Sequence, residues 1–409
     1  MGDLVRIVGG GTPDRNESTF WRDGTIPWIT PTDLTANVSK CISAGAECIT
    51  EVALRKSNAT LVPKGSIVYS TRGTVGNMAI AARPLTSNQS CENLVPLDGE
   101  AGSDFLYYLL SFGISAFIRL SGGTTFGSIT RRDIARVHFA VPDPAEQAAI
   151  ARILDAVDTA IERTRVAVER ARVVHRSLLH DLLERGPWKG RTGKDKRPAH
   201  WLFRRVDEVA EVGSGVTLGK DVTGFKSVEL PYLRVANVQD GHLDLSEVKT
   251  IRVRVDEVDQ YRLEAGDVLM TEGGDIDKLG RGAIWEGQIP DCLHQNHVFR
   301  IRANRALLLP EFYSLVVESD IAKRYFMRVA KRTTNLASTN KTQVRAFRFP
   351  VPPDLGEQRE IANAMQAVKA KLAGLTNRES ALRDLKRALM DDLLSGRVRL
   401  DVAKVGGVG

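Results

Sequence analysis

Asp143 and Glu146 are acidic residues close enough in sequence to act as an acid and a base in one site. The same pair recurs 211 residues later as Asp354 and Glu357. Each pair leads directly into an apolar-periodic segment. An Asp at such a position accepts hydrogen bonds from first-turn amides, and a Glu three residues on reaches back to the cap. The pattern therefore predicts two helix starts and not an active site.

Two other stretches invite a chemical interpretation. GSGVTLGKD (213–221) resembles a phosphate-binding loop, but its glycine spacing is wrong and Asp221 replaces the Ser or Thr that binds magnesium. Cys292, His294 and His297 resemble half of a metal site, but no second ligand cluster accompanies them. The sequence thus predicts no catalytic residues, no cofactor site and no metal site in this chain.

The chain is a tandem repeat, A–B–A′–B′, in which A has about 140 residues and B about 45. Six matches occur in the same order at offsets of 201 to 211 residues. In the first match, Gly9 and Gly11 align with Gly213 and Gly215. The matched stretches begin at residues 7, 26, 64, 87, 124 and 141 in the first copy and at 211, 230, 265, 293, 333 and 351 in the second.

Each A segment mixes short β-branched runs with amphipathic stretches, which predicts a compact α+β or mixed α/β domain. We therefore expect two similar globular domains. The predicted division is a first globular domain at 1–142, a first long helix at 143–186, a basic linker and second globular domain at 187–353, a second long helix at 354–396 and a tail at 397–409.

Each B segment carries an apolar seam with alternating steps of four and three residues, which predicts a coiled coil. A helix of some forty residues cannot bury its seam alone, so the two should pair. Equivalent units related by a pseudo-two-fold axis favour the antiparallel arrangement. The seam positions His175, Glu379 and Lys386 are interpreted as register-fixing polar residues or as positions exposed near the helix ends, and not as catalytic residues. From Ile150 to Leu182 the helix would span about 50 Å.

The composition favours an anionic partner and disfavours a membrane protein. The net charge is +7, and residues 323–349 hold eight Lys or Arg with no Asp or Glu. Residues 185–205 hold eight Lys or Arg against one Asp. Basic strips with interleaved hydroxyl and amide groups suit contact with nucleic acid. The sequence has no apolar run long enough for a membrane span and no signal-peptide layout, and four sparse cysteines favour a reduced, cytoplasmic setting.

The A–B–A′–B′ order, the Pro-x-x-x-Glu-Gln helix openings and the Gly-Asp-hydrophobic blocks resemble the specificity subunit of type I restriction-modification systems. The resemblance covers nearly the whole chain. It implies that each A segment is a target-recognition domain reading one half of a bipartite, asymmetric DNA sequence. It also implies that the antiparallel helices set the gap between the half-sites. One departure is the lead-in at 196–212, which the first copy mostly lacks; this leaves open whether the first repeat begins before Met1.

The resemblance further implies a non-catalytic subunit with catalytic partners. The expected partners are double-stranded DNA, two methyltransferase (modification) subunits docked on the helices, and restriction subunits that translocate and cleave DNA. The partners, and not this chain, would use S-adenosylmethionine, ATP and magnesium. Two alternatives stay open: a specificity subunit of a methylation-only complex, and a two-domain interaction scaffold that binds no DNA.

Within this frame, polar residues of the matched blocks are candidate DNA contacts. Arg can pair with guanine edges and Asn with adenine edges, whereas Ser and Thr are less selective. Some of these residues would contact phosphate and position the protein without specifying sequence. The candidates are Thr30, Thr32, Ser70, Thr71, Arg72, Thr124, Thr125 and Ser128 in the first domain, and Arg234, Asn237, Thr271, Lys331, Arg332, Thr333, Thr334, Asn340 and Lys341 in the second.

Overall fold

A computed structural model describes residues 1–120, 129–187, 198–275, 279–332 and 336–402. Contacts divide the chain into two units. Unit 1 contains Met1–Arg165 and Asn377–Gly409, and unit 2 contains Val166–Thr376. Each unit therefore combines one mixed α/β segment with half of each long helix. The expected mixed fold with two similar halves is confirmed.

Unit 1 begins with the first mixed segment. Its helices and strands are short, with two exceptions. One helix packs on the main sheet, and one long helix begins in unit 1 and ends in unit 2. The helices and strands are β1 (Val5–Gly9), β2 (Ile26–Ile29), α1 (Pro31–Ala36), β3 (Cys41–Ile42), β4 (Glu47–Ile49), α2 (Glu51–Lys56), β5 (Ile67–Ser70), β6 (Met78–Ala81), β7 (Thr86–Ser87), β8 (Cys91–Pro96), α3 (Ser103–Leu120), α4 (Arg131–Arg136) and α5 (Pro144–Arg185).

Unit 2 repeats the order of the main strands of unit 1 and contains additional short helices and strands. Its described helices and strands are β9 (Leu202–Arg205), α6 (Val206–Val209), β10 (Ala210–Ser214), β11 (Ser227–Leu233), β12 (Lys249–Arg254), α7 (Val258–Tyr261), β13 (Val268–Thr271), β14 (Gly273–Asp275), β15 (Gly282–Ile284), β16 (Leu293–His294), β17 (Val298–Ala303), α8 (Pro310–Glu318), α9 (Asp320–Val329), β18 (Lys331–Arg332), β19 (Leu336–Ser338), α10 (Lys341–Ala346), β20 (Arg348–Val351) and α11 (Leu355–Leu394).

The main sheets of the two units have the same strand pattern. In unit 1 the order is β1-β8-β5-β6-β3, and in unit 2 it is β10-β17-β13-β15. The first three pairings of each sheet are antiparallel. A smaller sheet, β4-β2-β7 or β12-β11-β16, lies beside each main sheet and contains one parallel pair. The internal repeat in the sequence thus corresponds to a repeated sheet topology.

The structure corrects the register of one repeat match. Gly10 and Gly215 both lie just after the first strand, where the backbone passes against a neighbouring chain segment. A Cβ on Gly10 would lie 1.8 Å from the carbonyl oxygen of Asn88, and one on Gly215 would lie 2.0 Å from that of His294. Gly215 therefore matches Gly10, and the sequence-based match to Gly11 was one residue off. The close approach explains why glycine occupies both positions.

In unit 1 the two long helices pair antiparallel. Ile150 and Leu154 of α5 lie in one buried cluster with Leu393 of α11. Further along α5, Asp158 forms an ion pair with Lys386 at 2.7 Å. From the first of these contacts to the second, the residue numbers increase in α5 and decrease in α11. The two helices therefore run in opposite directions. The seam predicted from the 4-3 spacing is the buried face.

In unit 2 the other halves of the same helices also pair antiparallel. The beginning of α11, at Glu357, lies against Gly186 just beyond the end of α5. Leu372 and His175, earlier in α5, line a common cavity. Leu183 and Ile361 are fully buried in the core of this unit. The apolar seam is therefore covered along both described halves of the helices.

The opening aspartate caps α5 as predicted, whereas Glu146 does not reach back to it. Asp143 Oδ1 accepts from the backbone amides of residues 145 and 146 at 3.0 Å. The buried Glu146 carboxylate instead accepts from the Arg399 guanidinium at 2.9 Å and from the Leu400 amide at 2.8 Å. The Arg399 hydrogen bond holds the pKa of Glu146 below its usual range. The predicted capping box is wrong here, because the glutamate is a tertiary contact to the segment after α11.

The second copy of the motif makes the matching contact in unit 2. Glu357 Oε1 accepts from the Trp201 indole at 2.8 Å, and His200 Nε2 lies 2.8 Å from Glu357 Oε2. Asp354 caps α11 through the amides of residues 356 and 357. In each copy, therefore, the glutamate at the start of one long helix holds the segment that follows the other long helix.

The glutamine of each motif holds its own mixed segment. Gln358 is fully buried. Its Nε2 donates to the Leu307 and Pro352 carbonyls at 3.0 and 2.8 Å, and its Oε1 accepts from the Leu309 amide at 2.8 Å. Gln147 donates to two backbone carbonyls of unit 1 in the same way. The Glu-Gln pair is thus a structural clamp that joins the start of each helix to its surroundings.

The three polar seam residues behave differently from one another. Lys386 pairs with Asp158, as described above. His175 is 7% exposed and lies 3.4 Å from Glu318, and burial lowers its pKa. Glu379 pairs with Arg383 one turn later on its own helix, at 2.6 Å. Only Lys386 therefore joins the two long helices, whereas His175 contacts the mixed domain and Glu379 contacts its own helix.

Replacing Gln358 with Leu should lower the free energy of unfolding by about 2–4 kcal/mol, because three buried backbone groups lose their partner. Gln366→Leu on the same helix is the matched control; Gln366 is exposed, and we expect a change within about 0.5 kcal/mol. Denaturant unfolding of both variants measures the difference. Equal effects would show that Gln358 is not a clamp.

His294 predicts a pH dependence of stability. Its imidazole is fully buried and Nδ1 lies 3.0 Å from the Tyr261 carbonyl; burial lowers its pKa to about 4. Below about pH 6.5, His294 binds a proton in the unfolded chain but not in the folded chain. The free energy of unfolding therefore decreases as the pH is lowered. Between pH 7 and pH 5 the wild type should lose about 2 kcal/mol more than His294→Asn. Urea unfolding at both pH values measures this, and parallel losses in the two proteins would contradict it.

Candidate nucleic-acid interface

Three segments of the first mixed domain meet at the end of strand β5. They are residues 30–35, 71–77 and 129–131, together called junction 1. Asn77 Nδ2 donates to Thr35 Oγ1 at 2.8 Å, and Thr35 Oγ1 lies 3.2 Å from Thr74 Oγ1. The Ile129 amide donates to the Thr71 carbonyl at 3.1 Å. Polar side chains from distant parts of the sequence are thereby brought together at one edge of the sheet.

The second mixed domain has the same arrangement at the end of β13. Residues 234–239, 272–275 and 339–341 form junction 2. Arg281 Nη1 donates to Gln239 Oε1 at 2.7 Å, in place of the Asn77–Thr35 bond. The Thr339 amide donates to the Glu272 carbonyl at 2.8 Å, in place of the Ile129–Thr71 bond. Matched strand registers therefore place the two junctions at equivalent positions of the two domains.

One short capped helix forms a wall of each junction. It is α1 in junction 1 and the 3₁₀ helix Val235–Asn237 in junction 2. Asp33 Oδ2 accepts from the Thr30 amide at 2.8 Å, and Asn237 Oδ1 accepts from the Arg234 amide at 2.9 Å. A reciprocal cap opens α1, α4 and α10, whereas at Arg234 only the Asn237 side chain accepts, because a guanidinium has no acceptor. In α4, hydrogen bonds from the hydroxyl and amide of Thr130 hold the pKa of the capping aspartate below its ordinary range. These bonds fix the backbone while leaving the neighbouring side chains free to vary.

The side chains at matched positions of the junctions differ in chemistry. Where junction 1 has Thr71, junction 2 has Glu272, whose carboxylate lies 2.6 Å from His297 Nδ1. Where junction 1 has the exposed Arg72, junction 2 has Gly273. Hydrogen-bond donors and acceptors in different patterns suit different base edges. The two domains thus present different polar surfaces on one backbone framework.

Five predicted contacts of the first domain lie in or beside junction 1. Thr32 and Arg72 are exposed, and Arg72 has no ion pair among the described residues. Thr30 is half-buried, and its hydroxyl donates to Asp33 at 2.6 Å. Ser70 and Thr71 are buried and donate to the carbonyls of residues 74 and 90. The predicted contacts Thr124, Thr125 and Ser128 lie outside the described residues.

Three predicted contacts of the second domain have internal roles. The amide nitrogen of buried Asn237 donates to the Asp244 and Glu247 carbonyls at 2.8 and 2.9 Å. Arg234 donates to the same Glu247 carbonyl. Thr271 is buried at the end of β13. In this arrangement Asn237 and Thr271 position junction 2 from within, while Arg234 is half-buried at its edge.

The basic strip of the second domain is only partly free for an anionic partner. Lys331 is exposed on β18, with no ion pair among the described residues. Arg332, also exposed, donates to the Met327 carbonyl. Lys341 is exposed, but it lines a cleft with Asp207 and Glu208, which weakens its local positive field. Asn340 caps α10, and the predicted contacts Thr333 and Thr334 lie outside the described residues.

The predictions did not include several residues that the structure places in or beside the junctions. The sequence signal for them is weak, because ordinary polar residues in loops carry no motif. The residues are Thr35, Thr74, Asn77, Gln239, Glu272, Arg281 and His297. Among them, the offset of 204 residues would have identified two corresponding pairs, Thr35 with Gln239 and Asn77 with Arg281.

Nothing among the described residues forms a group of His, Cys, Asp and Glu side chains that could hold a metal ion. His294 and His297, considered above as ligands, contact the Tyr261 carbonyl and Glu272 respectively. In the part of the chain that the structure describes, no helix is long and apolar enough to cross a membrane.

Solved structures share the fold of this chain. A type I restriction-modification S subunit from M. genitalium aligns with a TM-score of 0.57 at 16% identity, covering 96% of this chain and 94% of that one. A chain from a study of complex assembly and conformational transition of the type I R-M system aligns with a TM-score of 0.59 at 18% identity, covering 97% of each chain. At these identities the likeness shows the fold alone.

Curated relatives match over part of their length. The MjaIX specificity subunit of Methanocaldococcus jannaschii is 32% identical over 248 residues, covering 58% of this chain and 57% of the relative. The EcoR124I/EcoR124II specificity subunit of Escherichia coli is 28% identical over 165 residues, covering 39% and 40%. The chain thus spans about half the length of these relatives.

The family model described as the type I restriction modification DNA specificity domain matches twice, at residues 1–170 and 198–382. Each match contains one of the two junctions and one mixed segment. The two matches together cover most of the chain, in agreement with the tandem repeat and with the repeated sheet topology. The chain therefore belongs to the family of type I restriction-modification DNA specificity domains and contains two copies of the domain.

Proposed function

We propose that this chain is the non-catalytic specificity subunit of a type I restriction-modification complex and that it reads a bipartite, asymmetric DNA site. The observation that carries the proposal is the pair of matched junctions with different side chains. Two readers with one backbone framework and different hydrogen-bonding groups suit two different half-sequences. Exposed Arg72 and Lys331, which lack ion pairs among the described residues, would supply contacts to phosphate or base edges.

The gap between the half-sites would be set by the paired long helices. Helices α5 and α11 have 42 and 40 residues, so each measures about 60 Å at 1.5 Å per residue. Half-sites one turn of DNA apart are separated by about 34–36 Å. A coiled coil of this length is stiff enough to hold two readers on one duplex. Its antiparallel pairing within each unit supports this arrangement.

The proposed partners are two methyltransferase (modification) subunits docked on the helices and, in a full system, restriction subunits. S-adenosylmethionine, ATP and magnesium would then be bound by those partners and not by this chain. A specificity subunit of a methylation-only complex is the second candidate, because the same chain would serve that complex or a full restriction system. The interaction scaffold is disfavoured by family membership and by the exposed basic residues of the junctions.

Methylome sequencing of cells that carry the chain with its methyltransferase tests the proposal. The expected result is one gapped motif with two unlike half-sequences, absent from cells without the chain. The purified chain alone should neither methylate nor cleave DNA. A continuous motif, or turnover by the isolated chain, would overturn the proposal. Cleavage of unmethylated DNA by the complete complex separates the full system from the methylation-only alternative.

Replacing Arg72 with Ala should weaken DNA binding by the assembled complex by about 1 kcal/mol or more, because an exposed guanidinium at junction 1 is lost. If Arg72 contacts phosphate, the slope of log affinity against log salt should also fall by about one. Salt-dependent binding of a duplex carrying the motif measures both.

Lys64→Ala provides the matched control for this experiment. Lys64 is exposed in the same domain but precedes strand β5, whereas Arg72 follows it. Both substitutions remove one positive charge, so they change the net charge of the complex equally. Equal losses of affinity would mean that overall charge, and not junction 1, determines binding.

A further inference from the structure

Tyr108 of α3 lies at the centre of a polar network in unit 1. Its side chain is fully buried, and its hydroxyl faces two carboxylates of α5. The hydroxyl oxygen lies 2.6 Å from Asp155 Oδ1 and 2.8 Å from Asp158 Oδ2. Burial, followed by these two hydrogen bonds, raises the pKa of Tyr108 far above its usual value. The hydroxyl therefore remains a proton donor.

Two lysines complete the network and offset two of its three negative charges. Lys40 Nζ lies 2.5 Å from Asp155 and 2.7 Å from Asp104. Lys386 Nζ lies 2.7 Å from Asp158. Both ammonium groups also lie over the Tyr108 ring, at 4.5 and 5.4 Å from its centroid, within the range of cation–π attraction. We call these six residues the lock: Lys40, Asp104, Tyr108, Asp155, Asp158 and Lys386.

The lock joins three parts of unit 1. Lys40, Asp104 and Tyr108 belong to the recognition domain, Asp155 and Asp158 to α5, and Lys386 to α11. Apolar side chains are non-directional and tolerate small shifts between packed elements. Hydrogen bonds and ion pairs of defined length tolerate much less, and polar networks of this kind specify one geometry. The lock is therefore suited to fix the angle of the domain on the helices.

Unit 2 has a different set of charges at the corresponding place. The 211-residue offset between the long helices puts Lys369 at the position of Asp158, and Lys386 at that of His175. Here the acid comes from the recognition domain: Glu318 of α8 lies 2.5 Å from Lys369 and 3.4 Å from His175. Both units thus place a charged cluster between domain and helices, although the residues that form it are not the same.

We propose that the lock, through Tyr108, is a positioning device that sets the orientation of the first recognition domain on the paired helices and so restricts the gap allowed between the two half-sites. The inference rests on the proposed function, since it assumes two half-sites read by one chain. Tyr108 would not contact DNA. Loss of its hydroxyl leaves the half-sequences unchanged and relaxes the spacing.

Tyr108→Phe in the complex with its methyltransferase tests the inference. The substrates are duplexes carrying both half-sequences of the wild-type motif, with the native gap or a gap one or two base pairs shorter or longer. In the wild type, methylation should strongly favour the native gap. In Tyr108→Phe the ratio of the native gap to its nearest neighbours should fall about three- to tenfold, with the same half-sequences still required.

Tyr107→Phe is the matched control. Tyr107 is the adjacent residue on α3 and stacks edge-on against Tyr108 at 5.4 Å between ring centroids, but no hydrogen bond of its hydroxyl occurs among the described residues. This variant should keep the wild-type gap preference. A loss of stability without loss of spacing selectivity in Tyr108→Phe, or equal relaxation in both variants, would overturn the inference. If the wild type itself methylates no gapped motif, the proposed function fails instead.

A charge exchange gives an independent measurement. Asp158→Lys and Lys386→Asp each put like charges together across the two helices and should relax the gap preference. The double variant restores an opposite pair, so its preference should lie closer to the wild type than that of either single variant. A double variant as relaxed as the worse single variant would show that the Asp158–Lys386 pair does not position the domain.

Discussion

An amphipathic helix of about forty residues cannot leave its apolar seam in water, and this constraint organises the whole chain. Neither α5 nor α11 has enough apolar surface within its own repeat to cover that seam, so each is covered by the other and by a sheet-bearing domain. Ile150 and Leu154 are buried in unit 1 and Leu183 and Ile361 in unit 2. The buried Glu-Gln pairs follow from the same constraint. A glutamine ties each helix start to its domain, with three backbone hydrogen bonds at Gln358 and two at Gln147. A glutamate ties each helix start to the segment after the opposite helix.

The two halves have kept their framework and changed their surfaces. Strand order, the close-packed glycines Gly10 and Gly215, and the capped turns beside each junction are repeated. The groups between them differ, with Thr71 and Asn77 in one half and Glu272 and Arg281 in the other. Framework residues are constrained by packing and by buried hydrogen bonds, whereas exposed polar residues are constrained mainly by what they contact. Such a division is expected of a protein whose two domains read different targets.

The sequence predicted the features that depend on periodicity, because periodicity reports which face of an element is buried. The long helices were expected at 143–186 and 354–396 and are observed at Pro144–Arg185 and Leu355–Leu394. It did not predict the partner of Glu146, since Arg399 is 253 residues away and a local cap was an equally good explanation. It also could not separate Asn237, which is bonded to carbonyls inside the protein, from Arg72, which faces solvent. Both are polar residues in loops, and only tertiary structure determines which of them has internal partners.

The caps of the short helices have an evolutionary consequence. At the same turn, one domain uses Thr30 with Asp33 and the other uses Arg234 with Asn237, and the backbone amide is bound at nearly the same distance, 2.8 and 2.9 Å. The turn therefore accepts alternative pairs of residues without a change in its path. A lineage of such chains can exchange the groups that face a ligand while the folded scaffold remains under unchanged selection. New specificities would then arise by a few substitutions in one half, with the other half and the helices inherited intact.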